Sequence, residues 1–391
     1  MSELKAETPV IDFDHRDDIS KNNPYERWRH MRAECPVAYS ESYDGFYVIS
    51  RYADSVAGAR DTDDFSSALK QTQIPTLPSP PHPPVHTDPP QHRAYRQIIN
   101  PFFALPKMVE YEPWVQEIVN SVVDPVMASD AFDVPHELAM PVTRQVITRI
   151  MGIKDVPTEV NNWMDDFTLL LGEPSRAASE KLQEFLTAER DDRIKSPGTD
   201  VISAMVLAEI DGHRIIGDVV GMSMLVLAGG LETTNSAIAA AIWYLLDHPE
   251  DRERLQNEPD LWLSAMEEFV RWSSPVPNIS RTARNDVEVL GCPIPAGSRV
   301  MFQYGSANRD PSEFDDPDAV ILDRYPNRHL GFGIGPHRCA GSHLAKLMMR
   351  LVLRRVLPHL DQWRVADPAM IGYKAAGTRG MNKLPLVRIP T

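Results

Sequence analysis

Residues 217–247 form an almost unbroken apolar run, and such a segment leaves a chain few options. As a helix it would be about 45 Å long at 1.5 Å per residue, enough to cross a whole domain. Its middle holds Glu232, Thr233, Thr234, Asn235 and Ser236, which are costly in hydrocarbon and argue against a membrane span. The run therefore predicts a buried helix, which needs a large helical body around it. Hydrophobic residues at 42% and charged residues at 24% supply the material.

Helical spacing recurs over 23–34, 91–99, 107–128, 141–151, 160–171, 179–194, 200–208, 251–256, 261–272 and 342–357. Strands are expected at 45–50, at 287–290 and 299–302 around a turn at 293–297, and at 384–389. The fold class is mainly α with small β-sheets, an α+β arrangement. The length of 391 residues would allow two or three domains, yet no stretch reads as a linker, so residues 1–391 are expected to form one domain. Residues 71–90 are too rich in proline for a regular helix and predict a long surface loop, a candidate lid.

The formal net charge of -15 disfavours nucleic acid and anionic membrane as partners. Residues 1–20 carry charge throughout with no apolar core, so neither a signal peptide nor a membrane anchor is expected there. Three cysteines, Cys35, Cys292 and Cys339, make no disulfide framework and fit a reducing cytoplasm. Cys35 and Cys292 read as structural thiols.

Cys339 has different neighbours. In His329-Leu330-Gly331-Phe332-Gly333-Ile334-Gly335-Pro336-His337-Arg338-Cys339-Ala340-Gly341, glycines and a proline exclude regular helix, while residues from 342 onward have helical spacing. The cysteine sits where a tight loop feeds a helix N-terminus, among backbone N–H groups that favour a thiolate. A zinc site using His337, Cys339 and His343 is the competing chemistry, but it lacks the fourth ligand that a structural site requires.

The pattern Phe332-Gly333-x-Gly335-x-His337-x-Cys339-x-Gly341 resembles, without mismatch, the haem-binding signature of the cytochrome P450 family. Further segments match in the expected order, so the resemblance spans nearly the whole chain. It implies haem b, held between the long central helix and the cysteine-loop helix, with the Cys339 thiolate on iron. Glycine at 333 and 341 lets backbone approach a flat macrocycle, and Phe332 can shield one side from water. The resemblance also implies that His92, Arg96, Arg281 and His337 bind the haem propionates. Glu268 and Arg271, at i and i+3, would form a buried structural triad with Arg324.

In Ala228-Gly229-Gly230-Leu231-Glu232-Thr233-Thr234, the resemblance places an oxygen-binding groove and maps its acid–alcohol pair onto Glu232 and Thr233. Gly229 lies one turn before Thr233, so its carbonyl can accept the hydroxyl. Close helix packing would explain the paired glycines but not a carboxylate within this run.

The implied activity is a mono-oxygenase that places one atom of O2 into a small-to-medium hydrophobic substrate. A haem-based sensor and a peroxide-driven peroxygenase on the same fold are the alternatives. Substrate contacts are expected from 71–82, 163–171, Leu225, Gly229, Val276, Ile279 and 377–381, which are mostly apolar. Residues 196–203 and 227–233 resemble the bacterial camphor-hydroxylase group, which favours a terpenoid or small aromatic substrate. No flavin or iron–sulfur motif accompanies the haem signature, so electrons are expected from a separate ferredoxin or flavodoxin with its reductase. Lys346, Arg350, Arg354, Arg355 and Arg338 form a basic stripe that such an acidic partner could meet.

Overall fold

A computed structural model describes residues 8–76, 81–154, 156–167, 172–375 and 377–390. Its axis is the helix Val219–Asp247. Among the described residues this is the one helix long and apolar enough to cross a membrane, but 67% of its most apolar window is buried by protein. Around it pack Met140–Ile150, Gly172–Lys195, Leu261–Ser273 and Ser342–Val356, with Leu105–Ala128 laid against the first and last of these. Each offers an apolar stripe at helical spacing: Val142, Val146, Ile147 and Ile150 in one, Leu344, Leu347, Met348, Leu351 and Val352 in another. Together they form the main hydrophobic core.

A six-stranded sheet lies beside this helical body, in the order Val10–Ile11, Val37–Ser40, Phe46–Ile49, Arg299–Phe302, Ile279–Ala283, Phe65–Ser66. Within it Val300 pairs with Tyr47 on one side and with Arg281 on the other, which fixes Arg281 on an inner strand. Near the C-terminus, Gly372–Ala375 and Arg379–Lys383 form an antiparallel hairpin. Trp363–Val365, Pro385–Arg388 and Ala131–Asp133 make a separate three-stranded sheet.

One expectation about strand pairing needs correction. Val287–Val289 does not pair across a 293–297 turn with Arg299–Phe302; it pairs with Cys292–Ile294, Val289 opposite Cys292. The turn is the two-residue Leu290-Gly291, with φ of 52° and 79°. Positive φ at both positions suits the right-handed twist of a tight hairpin, and glycine supplies one of them without strain. The chain then turns again at Gly297, φ 80°, to bring 299–302 into the large sheet.

The expected helices are present with shifted ends, such as Gly172–Lys195 for 179–194 and Thr158–Phe167 for 160–171. The end of the latter expectation, 168–171, lies outside the described residues, as do 77–80 of the proline-rich segment and 1–7 at the start. Residues 71–76 and 81–90 contain neither helix nor strand, as proline predicts.

Candidate active site

The cysteine loop is held by its own backbone. Gly333 N–H donates to Leu330 O at 2.8 Å, and Cys339 N–H donates to Phe332 O at 2.8 Å. Gly333 and Gly335 adopt φ of 66° and 71°, which side-chain-bearing residues resist. A Cβ on Gly335 would stand 3.2 Å from Ala59 O, so the loop also leans on the helix Tyr52–Arg60. Helix Ser342–Val356 begins three residues after Cys339. Burial pushes the Cys339 thiol up, while the Gly341 N–H, Arg96 and Arg338 pull it down. The residue is nevertheless solvent-accessible. Both hold if the sulfur opens into an internal space rather than onto the outer surface.

One edge of the site gathers basic side chains. His92 stacks on His337 with ring centroids 4.1 Å apart. Arg96 donates from Nη1 to Arg338 O at 2.8 Å, joining the helix Gln91–Phe103 to the cysteine loop. Arg281 is buried, and its guanidinium donates to the Ser280 carbonyl at 2.9 Å. Burial and these cationic neighbours hold His337 near a pKa of about 2 and His92 near about 4. The nearest buried carboxylate, Asp88, is engaged by Ser66, by the Ser67 N–H and by Arg284. The buried His92 Nε2 lacks a hydrogen-bond partner. The buried Arg281 guanidinium and the unpartnered His92 Nε2 are both donors that are costly to leave unmatched, so the cluster fits a ligand that brings carboxylates. The two propionates of haem b meet that requirement.

The central helix carries the other expected site residues. Within a largely buried helix, Leu225, Ala228, Gly229 and Thr233 stay partly or fully accessible, spaced i, i+3, i+4 and i+8 along one face. Thr233 Oγ1 donates to Gly229 O at 3.0 Å, the bond its spacing predicts. The two glycines divide their work. A Cβ on Gly230 would fall 2.7 Å from Ile147, so that glycine permits close helix packing; one on Gly229 would meet nothing within 4 Å. Glu232 does not share the accessible face. Its buried carboxylate pairs with Lys374 at 2.5 Å and accepts from Ser236 Oγ at 3.2 Å. Val276 and Ile279, expected at the substrate, are half-buried, the latter at the start of the inner strand Ile279–Ala283.

The triad forms as expected and is fully internal. Glu268 receives Arg271 through Nε and Nη2, each at 2.7 Å, and Arg324 Nε at 3.1 Å. Sequence reasoning missed what connects it to the loop. Arg271 Nη1 donates to Asn308 O at 2.8 Å, and Asn308 Oδ1 accepts the Leu330 N–H at 2.6 Å. It missed Ser67 too, whose hydroxyl lies 3.2 Å from His337 Nε2. No local pattern marks either residue, because each acts across more than twenty positions of chain.

The basic stripe is not a free cationic band. Lys346 meets Glu267 at 2.5 Å, Arg350 meets Glu112 at 2.9 Å, and Arg355 meets Asp124 at 2.5 Å. These carboxylates come from neighbouring helices, which helical spacing within 342–357 could not reveal. On that side of the molecule a groove of about 1100 Å³ includes Phe332, Arg338, Lys346 and Arg350 in its wall. Its rim carries Val109, Leu263 and Tyr325, exposed by 75%, 75% and 95%. Among the described residues no cluster of three or more His, Cys, Asp or Glu could hold a metal, so the zinc alternative finds no ligand set.

A family model described as Cytochrome P450 matches residues 170–365. The chain is 32% identical to the steroid C26-monooxygenase of Mycolicibacterium smegmatis, over 94% of this chain and 93% of that protein. It is 30% identical to the beta-dihydromenaquinone-9 omega-hydroxylase of Mycobacterium tuberculosis, over 97% of this chain and 79% of that protein. Among solved structures, a mutant of P450 EryK in complex with erythromycin B is similar with a TM-score of 0.83 and 27% identity, covering 93% of this chain and 95% of that one.

Proposed function

Because this chain belongs to the cytochrome P450 family and is a mono-oxygenase of it, we propose that residues 1–391 work as one haem domain, with Cys339 as the axial ligand. The observation that carries this reading is the Cys339 thiol, enclosed by protein yet accessible. His92, Arg96, Arg281 and His337 hold the propionates, supported by the buried Arg281 guanidinium, the unpartnered His92 Nε2 and the contact of Arg96 with the cysteine loop. Glu268, Arg271 and Arg324 brace the loop through Asn308.

When bound, haem b supplies oxygen activation: substrate C–H, O2, two electrons and two protons yield C–OH and water. The protein's part is to orient substrate and supply protons at the right place. The Thr233 hydroxyl, docked on the Gly229 carbonyl, can hold a water or pass a proton within the accessible groove. Glu232, one residue away, is the proton reservoir behind it. A peroxygenase would need a substrate-carboxylate anchor in place of this acid–alcohol pair.

The substrate we propose is a small-to-medium hydrophobic molecule. The apolar positions Leu225, Val276 and Ile279 support it, as do relatives named for a steroid and a menaquinone. Terpenoid or aromatic chemistry stays within that class. The electron donor is a ferredoxin, or a flavodoxin, docking over the groove of the cysteine-loop face. With Lys346, Arg350 and Arg355 each met by a carboxylate, the exposed Val109, Leu263 and Tyr325 would carry much of the contact. The enzyme would work in the cytoplasm.

Reduction under carbon monoxide tests the reading. The wild-type protein should give the long-wavelength Soret band of thiolate ligation, and Cys339→Ser should lose it while retaining the fold by circular dichroism. A band unchanged in Cys339→Ser would remove Cys339 from the site.

A further inference from the structure

The counter-charge of Glu232 comes from an unexpected direction. Lys374 lies on the C-terminal hairpin, directly opposite Gly380 in the strand register. Gly380 is pressed onto the central helix: a Cβ there would fall 2.1 Å from Ser236 Oγ. The hairpin backbone thus touches the helix one turn beyond Glu232, which is how Lys374 Nζ reaches the carboxylate at 2.5 Å. The two side chains are only 17% and 5% exposed, so this is an internal pair rather than a solvated one. Ser236 holds the other carboxylate oxygen.

The consequence is orientational. Neighbours in a helix point about 100° apart, so a carboxylate turned to the hairpin is turned away from the accessible face that Thr233 shares with Gly229. The hairpin cannot drift easily. The Arg379 N–H donates to Pro275 O at 2.9 Å, and its guanidinium binds the carbonyls of Ser20 at 3.2 Å and Lys21 at 3.1 Å. Pro275 adjoins Val276, one of the proposed substrate contacts. Nearby charged groups are occupied elsewhere: His136 with Asn382 O, Glu137 with the Asp133 N–H, and Arg144 with Asp165.

We propose that Lys374 is a positioning residue that holds Glu232 off the oxygen groove in the resting enzyme, so that breaking this ion pair is what frees the carboxylate to serve as a proton donor. This rests on the assignment of Glu232 as that donor. No bond other than a proton's is made or broken. The carboxylate takes its proton from water and passes it into the groove, while electrons come from the redox partner.

The test uses the haem-loaded enzyme without substrate. Infrared difference spectra would identify the Glu232 carboxylate band by its loss in E232Q. That band should move in K374M and return toward its wild-type position in K374R. In parallel, NADPH consumption through a surrogate ferredoxin and its reductase should rise on the order of tenfold in K374M and fall back in K374R. An unmoved band, or resting consumption in K374M equal to wild type while E232Q is impaired, overturns the positioning role alone. If E232Q shows wild-type proton-dependent turnover, the proton-donor assignment falls first and the proposal falls with it.

Discussion

Replacing Glu268 by glutamine keeps shape and removes charge, and the structure permits the outcome to be worked through. Oε1 accepts from Arg271 Nη2, the Ile321 N–H and Arg324 Nε; Oε2 accepts from Arg271 Nε, Arg324 Nε and Asn327 Nδ2. In Gln, one of these oxygens becomes an NH2 facing donors, so whichever way the amide turns, donors oppose donors. The Arg271 and Glu268 side chains are both 0% exposed and Arg324 is 7% exposed, so water cannot repair the mismatch. Removing one partner of such a buried pair costs about 3–5 kcal/mol. The exposed Glu258, paired with Arg254 and 51% accessible, is the control, and its Gln variant should stay within about 0.5 kcal/mol of wild type. Guanidinium unfolding followed by tryptophan fluorescence measures both. Because Arg271 also holds Asn308, which holds Leu330, the carbon-monoxide complex of E268Q should also show a diminished thiolate band. An unfolding midpoint for E268Q matching that of E258Q would refute the claim that this carboxylate neutralises the buried guanidinium groups.

Three further outcomes are expected. Burial alone would raise the Glu267 carboxyl, but His329 and Lys346 hold it at about 2 against an ordinary 4.5. Being depressed, it contributes stability that is complete above pH 4.5 and lost as pH falls toward 2. E267Q should therefore flatten acid unfolding across that window and cost about 1–2 kcal/mol at neutral pH, allowing for its partial exposure. Thr233→Ala removes the hydroxyl bonded to Gly229 O and should leave the substrate spectral shift intact while diverting reducing equivalents to hydrogen peroxide; unchanged coupling would take Thr233 out of the mechanism. Leu263→Asp, on the exposed groove rim, should weaken reduction by the electron-donor protein on the order of tenfold or more without altering stability, measured by stopped-flow reduction against thermal melting.

What could be read from the sequence depended on range. The Thr233–Gly229 bond spans one helical turn, and Glu268–Arg271 likewise, so helical spacing allowed each pair and the family resemblance singled it out. The cysteine loop was legible because glycine, proline and a following helix constrain a short backbone tightly. Partners brought together by tertiary packing were not legible. Glu112 and Asp124 meet Arg350 and Arg355 from a helix more than two hundred positions away, and Lys374 reaches Glu232 through a hairpin whose register no local pattern sets. The strand at Ile279–Ala283 escaped notice because Ser280, Arg281 and Thr282 are polar yet buried, breaking the alternation that marks a half-exposed strand.

The bonds that shape the cysteine loop all run between protein groups: Cys339 to Phe332, Gly333 to Leu330, Leu330 to Asn308. Leu330 is thus a shared node: its carbonyl fixes Gly333 while its N–H is fixed by Asn308, so a substitution far from the sulfur that shifts Asn308 would move the loop as a unit.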